Sequence, residues 1–291
     1  MSPAPDFPRH VPRTDWTAWA GVAPFFVFAA MFLIAPTAWL LVGAFQDRDG
    51  AFTLANIFRL GQPAIRNSLW LSLEISAASA SLGAALGLML ALAALRGGLP
   101  AWVRPTLMTF SGVASNFAGV PLAFAFMATL GRLGLVTVLL RSLGIDIYAA
   151  GFSILTFTGL TITYLYFQIP LMVLVVTPAI DGLRHEWAEA AQTLGATAWQ
   201  YWRMVALPIL APSALAATLL LFANAFGAIA TAYALTGSSF NIAPILLYAQ
   251  IRGDVLHDPN LGYAMAVAML AITGLSNLAY VALRARPGRG R

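Results

Sequence analysis

The 291-residue chain contains no cysteine and no lysine, and only 9% of its positions are charged. Without cysteine there is no disulfide, no thiolate nucleophile and no cysteine-ligated zinc. All sixteen basic residues are arginine. A P-loop needs a lysine after its glycines to reach the nucleotide phosphates, so this chain does not hydrolyse ATP by that route. Schiff-base chemistry is excluded for the same reason. The three histidines, His10, His185 and His257, lie outside the long apolar stretches. Neither H-E-x-x-H nor G-x-S-x-G occurs, which removes two recurrent hydrolase patterns. The net charge of +5 comes from scattered or terminal arginines. No basic face with interleaved aromatics is present, so no nucleic-acid partner is expected.

Soluble domains carry about 25% charged residues. A chain with 60% hydrophobic residues and so little charge cannot cover a surface facing water. The bilayer is therefore expected to be its solvent. A spanning helix needs roughly 20 mostly apolar residues, and six segments qualify: Trp19–Phe45, Ser68–Leu95, Thr106–Leu130, Ser153–Pro178, Ile209–Leu235 and Leu261–Leu283. The expected fold is all-α, a polytopic membrane protein with six transmembrane helices. The first segment is too long for a signal peptide and is read as retained. One transmembrane domain over 19–283 remains, between an N-terminal tail, 1–18, and a basic C-terminal tail, 284–291.

Arginine asymmetry orients the chain. Ten arginines fall on one side (Arg9, Arg13, Arg96, Arg104, Arg184, Arg203, Arg284, Arg286, Arg289 and Arg291) against six on the other. Both termini are thus expected in the cytoplasm. Two outer loops carry helical patterns. Leu133, Val136, Leu140 and Leu143 share a spacing suited to the outer interface, and Ile242–Ile251 has Pro244 near a helix start. Gly83-x-x-x-Gly87 lets a neighbouring helix approach span two closely.

The loop between spans four and five is the most informative segment. Leu183, Trp187, Ala190 and Leu194 recur at helical spacing and form an apolar stripe, with Arg184, His185, Glu186 and Glu189 off it. Gly195 suits the left-handed residue that closes a helix. Thr197-x-x-Gln200 reads as a capping box opening a second helix, with Trp199, Trp202 and Ala206 as its apolar face and Pro208 as its stop. An amphipathic helix–glycine–helix elbow over 181–208 is a docking surface for a grooved partner.

These residues carry a family resemblance. Glu189-Ala190-Ala191, then Gly195, then Val205-x-Leu207-Pro208 are similar to the signature E-A-A, three residues, G, nine residues, I-x-L-P, of binding-protein-dependent ABC importer permeases. Only Val205 departs from it. The loop before the penultimate span is also where that signature sits, and the resemblance extends over most of 19–284. It implies the type I, methionine-importer-like permease fold in the bacterial inner membrane. It further implies an ATP-binding ABC subunit, a second permease subunit and a periplasmic substrate-binding protein as partners, no cofactor, and no enzymatic activity of the chain itself. Glu186, Trp187, Glu189, Ala190, Ala191, Gly195, Leu207 and Pro208 would form the coupling surface, with Glu189 orienting the elbow and Gly195 supplying its turn.

Polar residues within spans are costly and direct attention to a pathway. Glu74 is the one acid well inside a predicted span. It either meets a cationic substrate, pairs with Arg66 or Arg132, or snorkels outward. Asn116, Gln168 and Asn224 either line a pathway or tie helices together. Gly227 and Gly237 can loosen span five, and Tyr164, Tyr166 and Tyr233 read as packing or interface aromatics. The stretches Ser115–Pro121, Ala225–Gly237 and Ala243–Asp254 are similar to permeases for polyamines, a group that includes relatives for ferric iron, thiamine and phosphonates. A polyamine-like solute and a related second permease chain are what that likeness implies. The competing class is an ion-coupled secondary transporter or channel. It needs buried carboxylates or an inverted repeat, and the sequence offers only Glu74.

Overall fold

Helix is the only way an isolated segment satisfies its backbone in hydrocarbon, and a computed structural model of the chain is helical over most of each predicted span. It describes residues 16–253 and 257–285. The predicted tails lie outside the described residues except for 16–18 and 284–285, which are helical, and Asp254 also lies outside them.

The first span comprises α1 (Trp16–Ala29), a π turn (Ala30–Ile34) and α2 (Ala35–Ala44). A five-residue helix α3 (Ala55–Arg59) precedes α4 (Pro63–Arg96), which opens on proline in its first turn, where no N–H is missed. The third predicted span is two helices, α5 (Val103–Asn116) and α6 (Val120–Leu130), followed by a short α7 (Leu135–Ser142). The fourth, α8 (Phe157–Asp181), runs through Pro178 rather than ending there. The elbow holds α9 (His185–Thr193) and α10 (Ala198–Tyr201), and a π turn (Trp202–Ala206) leads into α11 (Leu207–Phe226). Then come α12 (Ile229–Thr236), α13 (Ala243–Arg252) and α14 (Pro259–Ala285).

Six helical stretches are long and apolar enough to cross a membrane. Spans three and five were expected to be continuous over Thr106–Leu130 and Ile209–Leu235, and each is broken. The qualifying third stretch is Val120–Ser142, and α5 stands apart from it. Span three breaks at Phe117–Gly119, where Gly119 has φ +75°, open to glycine at no steric cost. Span five breaks at Gly227–Ala228, the loosening expected at Gly227.

α8 is the hub. In its core window 61% of residues are buried, against none in the first span's, so α8 sees protein on most sides and the first span almost none. α4 carries a buried face of small residues, Ser68, Ser72, Ser76, Ser79, Gly83 and Gly87, whose glycine end lies on α8. The hydroxyls of Ser68, Ser72 and Ser79 bond carbonyls one turn back in their own helix, so they enter apolar surroundings satisfied. A Cβ on Gly83 would sit 2.6 Å from Gln168 Cβ, and one on Gly87 2.6 Å from Met172 Cβ. The Gly83-x-x-x-Gly87 motif thus does what its pattern implied, with α8 as the neighbour. Two apolar clusters stack along the bundle. One, near the elbow, gathers Ala84, Met172, Val176, Leu183 and Leu210. The other, away from it, gathers Ile75, Leu122, Tyr164, Phe167 and Ile242.

Candidate functional site: the elbow and the helix breaks

The elbow is built from local rules. Arg184 precedes α9, and Glu186 lies in its first turn, where the helix dipole favours an acid. At the other end the Gly195 N–H donates to the Gln192 carbonyl and the Ala196 N–H to the Ala191 carbonyl, both at 2.9 Å. This is a Schellman closure, and Gly195 sits at φ +77° as it requires. The capping box is complete: Thr197 N–H donates to Gln200 Oε1 at 2.7 Å, and Gln200 N–H donates to Thr197 Oγ1 at 3.3 Å.

Three expectations about the elbow are corrected. Leu183 is not part of the stripe on α9, because it lies ahead of the helix and is buried in the bundle. Pro208 does not stop the second elbow helix. The Leu207 N–H bonds the Trp202 carbonyl, five residues back, and the helix continues as α11. A turn widened by one residue gives the proline ring room beside the carbonyl it would otherwise strike. The same solution precedes Pro36, where Ala35 N–H bonds the Ala30 carbonyl.

The remaining stripe faces outward. Trp187, Ala190 and Leu194 are exposed, Leu194 at 87%. The apolar face expected on the second helix is divided: Trp199 is exposed, Trp202 half-buried and Ala206 wholly buried. Glu189 is exposed too, and its carboxylate stands 3.5 Å from His185 Nε2. Ala191 is half-buried; Leu207 and Pro208 are exposed. The opposite side of the elbow, with Ala188, Gln192 and Thr197, lines a cavity of about 210 Å³ shared with Arg96, Tyr201 and Trp202. At the elbow's root, Arg96 donates to the carbonyls of Ile180 and Leu183, and Arg104 pairs with Asp181 at 2.7 Å. The sequence reading counted these arginines only as flanking charge. A usable signal was there: Asp181 ends span four on the side that also holds Arg96 and Arg104.

The two helix breaks meet. Gly119 N–H donates to Thr231 Oγ1 at 2.7 Å, and the buried Tyr164 hydroxyl donates to the Ala228 carbonyl at 2.6 Å. Backbone groups freed from the ladders of α6 and α12 are thereby answered inside the bundle. Asn116 and Asn224 flank this place and are exposed; Asn116 donates to the Gly112 carbonyl one turn back. Gln168 is wholly buried and ties α8 to α11 through a 3.0 Å bond to the Leu221 carbonyl. Tyr166 packs edge-on against Phe117 and Phe126, and Tyr233 lies tilted against Tyr248. Glu74 is exposed on α4, and neither expected pairing forms: Arg132 instead stacks 5.5 Å over the Tyr148 ring, and no bond from Arg66 to Glu74 is made among the described residues. Arg66 lies on α4 itself, eight residues before Glu74, which is about 12 Å along the helix axis.

A helical bundle of six candidate spans with an uncovered amphipathic elbow at one end is the architecture of a membrane transport subunit. The chain belongs to the family of binding-protein-dependent transport system inner membrane components, which it matches over residues 83–289. It is 27% identical to the molybdenum transport system permease protein ModB of Mycobacterium tuberculosis, with 94% of each chain covered. It is 26% identical to the spermidine/putrescine transport system permease protein PotB of Haemophilus influenzae, over 91% of this chain and 92% of that one. Among solved structures it resembles a bacterial ABC transporter involved in import of the acidic polysaccharide alginate, with TM-score 0.72 at 18% identity, covering 94% and 96% of the two chains. It also resembles the MetNI methionine ABC transporter, with TM-score 0.51 at 17% identity over 75% of this chain and 94% of that one. The type I permease fold read from the sequence is the fold of the protein. The chain is a multi-pass ABC importer permease subunit, a transport component and not an enzyme.

Proposed function

We propose that the elbow around Gly195 is the surface through which a separate ATP-binding subunit drives this permease. The observation that carries this reading is the two-sidedness of the elbow. Its root is held to the bundle, while Trp187, Ala190, Leu194 and Trp199 are left to solvent. Exposed tryptophan and leucine on a rigidly capped helix are what a partner's groove would receive. In this reading Glu189, next to Ala190 and Ala191, orients the elbow in the groove, and Leu207 and Pro208 pass its displacement into α11. The elbow and both termini face the cytoplasm, with the single permease domain of 19–283 between them. A second, related permease chain and a periplasmic binding protein complete the importer, which works by alternating access.

The solute is a small polar molecule, with a polyamine as first choice. Glu74 supports a cationic cargo. An exposed carboxylate in a spanning helix is costly against lipid and is suited to a wet pathway shared with a second permease. Asn116 and Asn224, both exposed beside the meeting point of the helix breaks, would line the same route, with Gln168 bracing it from inside.

Because the chain has no cysteine, one introduced thiol reports sidedness cleanly. Ala190→Cys should react with a membrane-impermeant maleimide only when the cytoplasmic side is opened, and the ATPase subunit should protect it. Labelling from the periplasmic side, or no protection in the assembled complex, would overturn the coupling role. Glu189→Arg should abolish copurification of the ATPase. Uptake by the reconstituted importer of spermidine, and not of molybdate or sulfate, is the expected substrate result; uptake of an oxyanion alone would overturn the polyamine reading.

A further inference from the structure

The elbow passes force into the bundle through whatever attaches it there. Its first helix, α9, packs chiefly on α10, with the cavity behind it instead of a close-packed interface. The two ends of the elbow are attached differently. At the far end α10 continues through the π turn into α11 as one helical rod. At the near end the chain leaves α8 at Asp181 and reaches α9 through Gly182–Arg184, which has no regular structure. A link of that kind transmits little by itself.

Two arginines from other spans grip it. Arg96, the last residue of α4, donates from one guanidinium nitrogen to the Ile180 and Leu183 carbonyls on either side of the link's start. Arg104, the second residue of α5, pairs with Asp181 at 2.7 Å, across 77 positions of sequence. Helix capping accounts for Arg96, because a cation is favourable at the carbonyl end of α8. It does not account for the second pair. Arg104 stands at the N-terminal end of α5 and Asp181 at the C-terminal end of α8. Each charge therefore sits at the helix end whose dipole opposes it. The side chains are 52% and 42% exposed, and exposed ion pairs contribute little to stability. The pair's distinctive effect is to fix the position of the elbow root relative to α5.

Building on the coupling role proposed above, we infer that Arg96 and Arg104 are positioning residues of the coupling step. They lock the elbow root to α4 and α5, so that a displaced elbow moves these helices together with α11. α5 ends at Asn116, beside the break at Phe117–Gly119. The Arg104–Asp181 pair thus links the elbow to the half of span three that lies on its side of the break.

The test uses the complete importer, with ATPase, both permeases and binding protein, in proteoliposomes. It reads ATP hydrolysis and solute uptake on the same vesicles. Arg104→Asp and Asp181→Arg each place a charge that its helix end favours, so both variants should fold and retain the ATPase. Each should keep basal ATP hydrolysis while solute moved per ATP falls about tenfold, a change of roughly 1.4 kcal/mol. The double swap, which rebuilds the pair in reverse, should recover most of the loss. Arg96→Gln should uncouple in the same way, with Arg96→Lys intermediate. An unchanged transport-to-hydrolysis ratio in the single variants, a proportional loss of both activities, or a double swap as poor as its parents would overturn the clamp. Failure of the unsubstituted chain to retain the ATPase would instead overturn the coupling role itself, and the clamp with it.

Discussion

The elbow and the paired helix breaks are both departures from plain spanning helix, and they are stabilised in opposite ways. The elbow closes on itself. Its Schellman bonds, its capping box and its glycine all act within Ala191–Gln200. The breaks close on other helices. Thr231 answers Gly119 from 112 positions away, and Tyr164 answers Ala228 from 64. A segment that satisfies its own backbone can stand at a surface and meet a partner. A segment whose backbone is satisfied by neighbouring spans is tied to the arrangement of those spans. Motion between spans should therefore be felt at the breaks, while the elbow should move as a rigid piece.

The largest effect expected from breaking this contrast is at Gly195. No atom lies within 4 Å of the position a Cβ would take there, so a substitution meets no clash and acts only through φ +77°. A β-branched residue is strained at that angle by about 1–2 kcal/mol. The strain falls directly on the geometry that aims the two elbow helices. Gly195→Val should abolish ATPase copurification and uptake, whereas Gly195→Asn, which tolerates the left-handed region, should keep most of both. Equal activity of the two variants would mean that the turn does not set the elbow.

That contrast also governs what could be read from the sequence. The whole elbow was legible except at its edges, because caps, boxes and closing glycines are signals between residues a few positions apart. Leu183 was misread because its apolar character fits a stripe and a core equally well, and only the actual start of α9 at His185 decides. Pro208 was misread because a proline stop and a proline preceded by a π turn share one sequence. The spans were legible as apolar lengths, and Gly227 carried a local sign of its break. The break at Phe117–Gly119 carried too little, since Gly119 resembles any other glycine in an apolar run. What makes that break affordable in hydrocarbon is a threonine on another helix, and no local pattern announces it.

The next effect in size belongs to the breaks. Tyr164→Phe leaves the half-buried Ala228 carbonyl without its donor, and losing such a hydrogen bond costs about 1 kcal/mol. Thermal unfolding in detergent should register that loss while ATPase copurification stays intact. Thr231→Val removes the acceptor for the Gly119 N–H at similar shape. The two substitutions combined should depart from additivity if the breaks behave as one joint, as contacting residues do by about 0.5–3 kcal/mol. Strict additivity would make them two independent kinks. Thr197→Ala, by comparison, removes one half of an exposed capping box and should cost about 1 kcal/mol. It should loosen α10 locally, as hydrogen exchange of its first amides would show, without touching the breaks.

The smallest effect tests whether ties across the sequence matter equally away from the spans. Arg59 on α3 bonds Asp258, just ahead of α14, at 2.7 Å and across 199 positions. Burial pushes the Asp258 carboxyl up. The Arg59 hydrogen bond, the Leu261 N–H and the charges of Arg59 and Arg48 outweigh it, and the group titrates below the ordinary carboxylate range. A carboxyl lowered on folding adds stability that is fully present above its unfolded pKa and is lost as pH falls through that value toward the folded one. The Arg59 side chain is 39% exposed, so solvent screening limits the gain to about 1 kcal/mol or less. Asp258→Asn should therefore lower the unfolding temperature at pH 7 by a few degrees at most. The gap to the unsubstituted protein should shrink below about pH 4, where the free carboxylate also protonates. Taking the difference between the two proteins removes the other acids, which titrate in both. A gap that stays constant down to low pH would show that Asp258 acts through shape and not through charge, which would set this tie beside the neutral ones at the breaks.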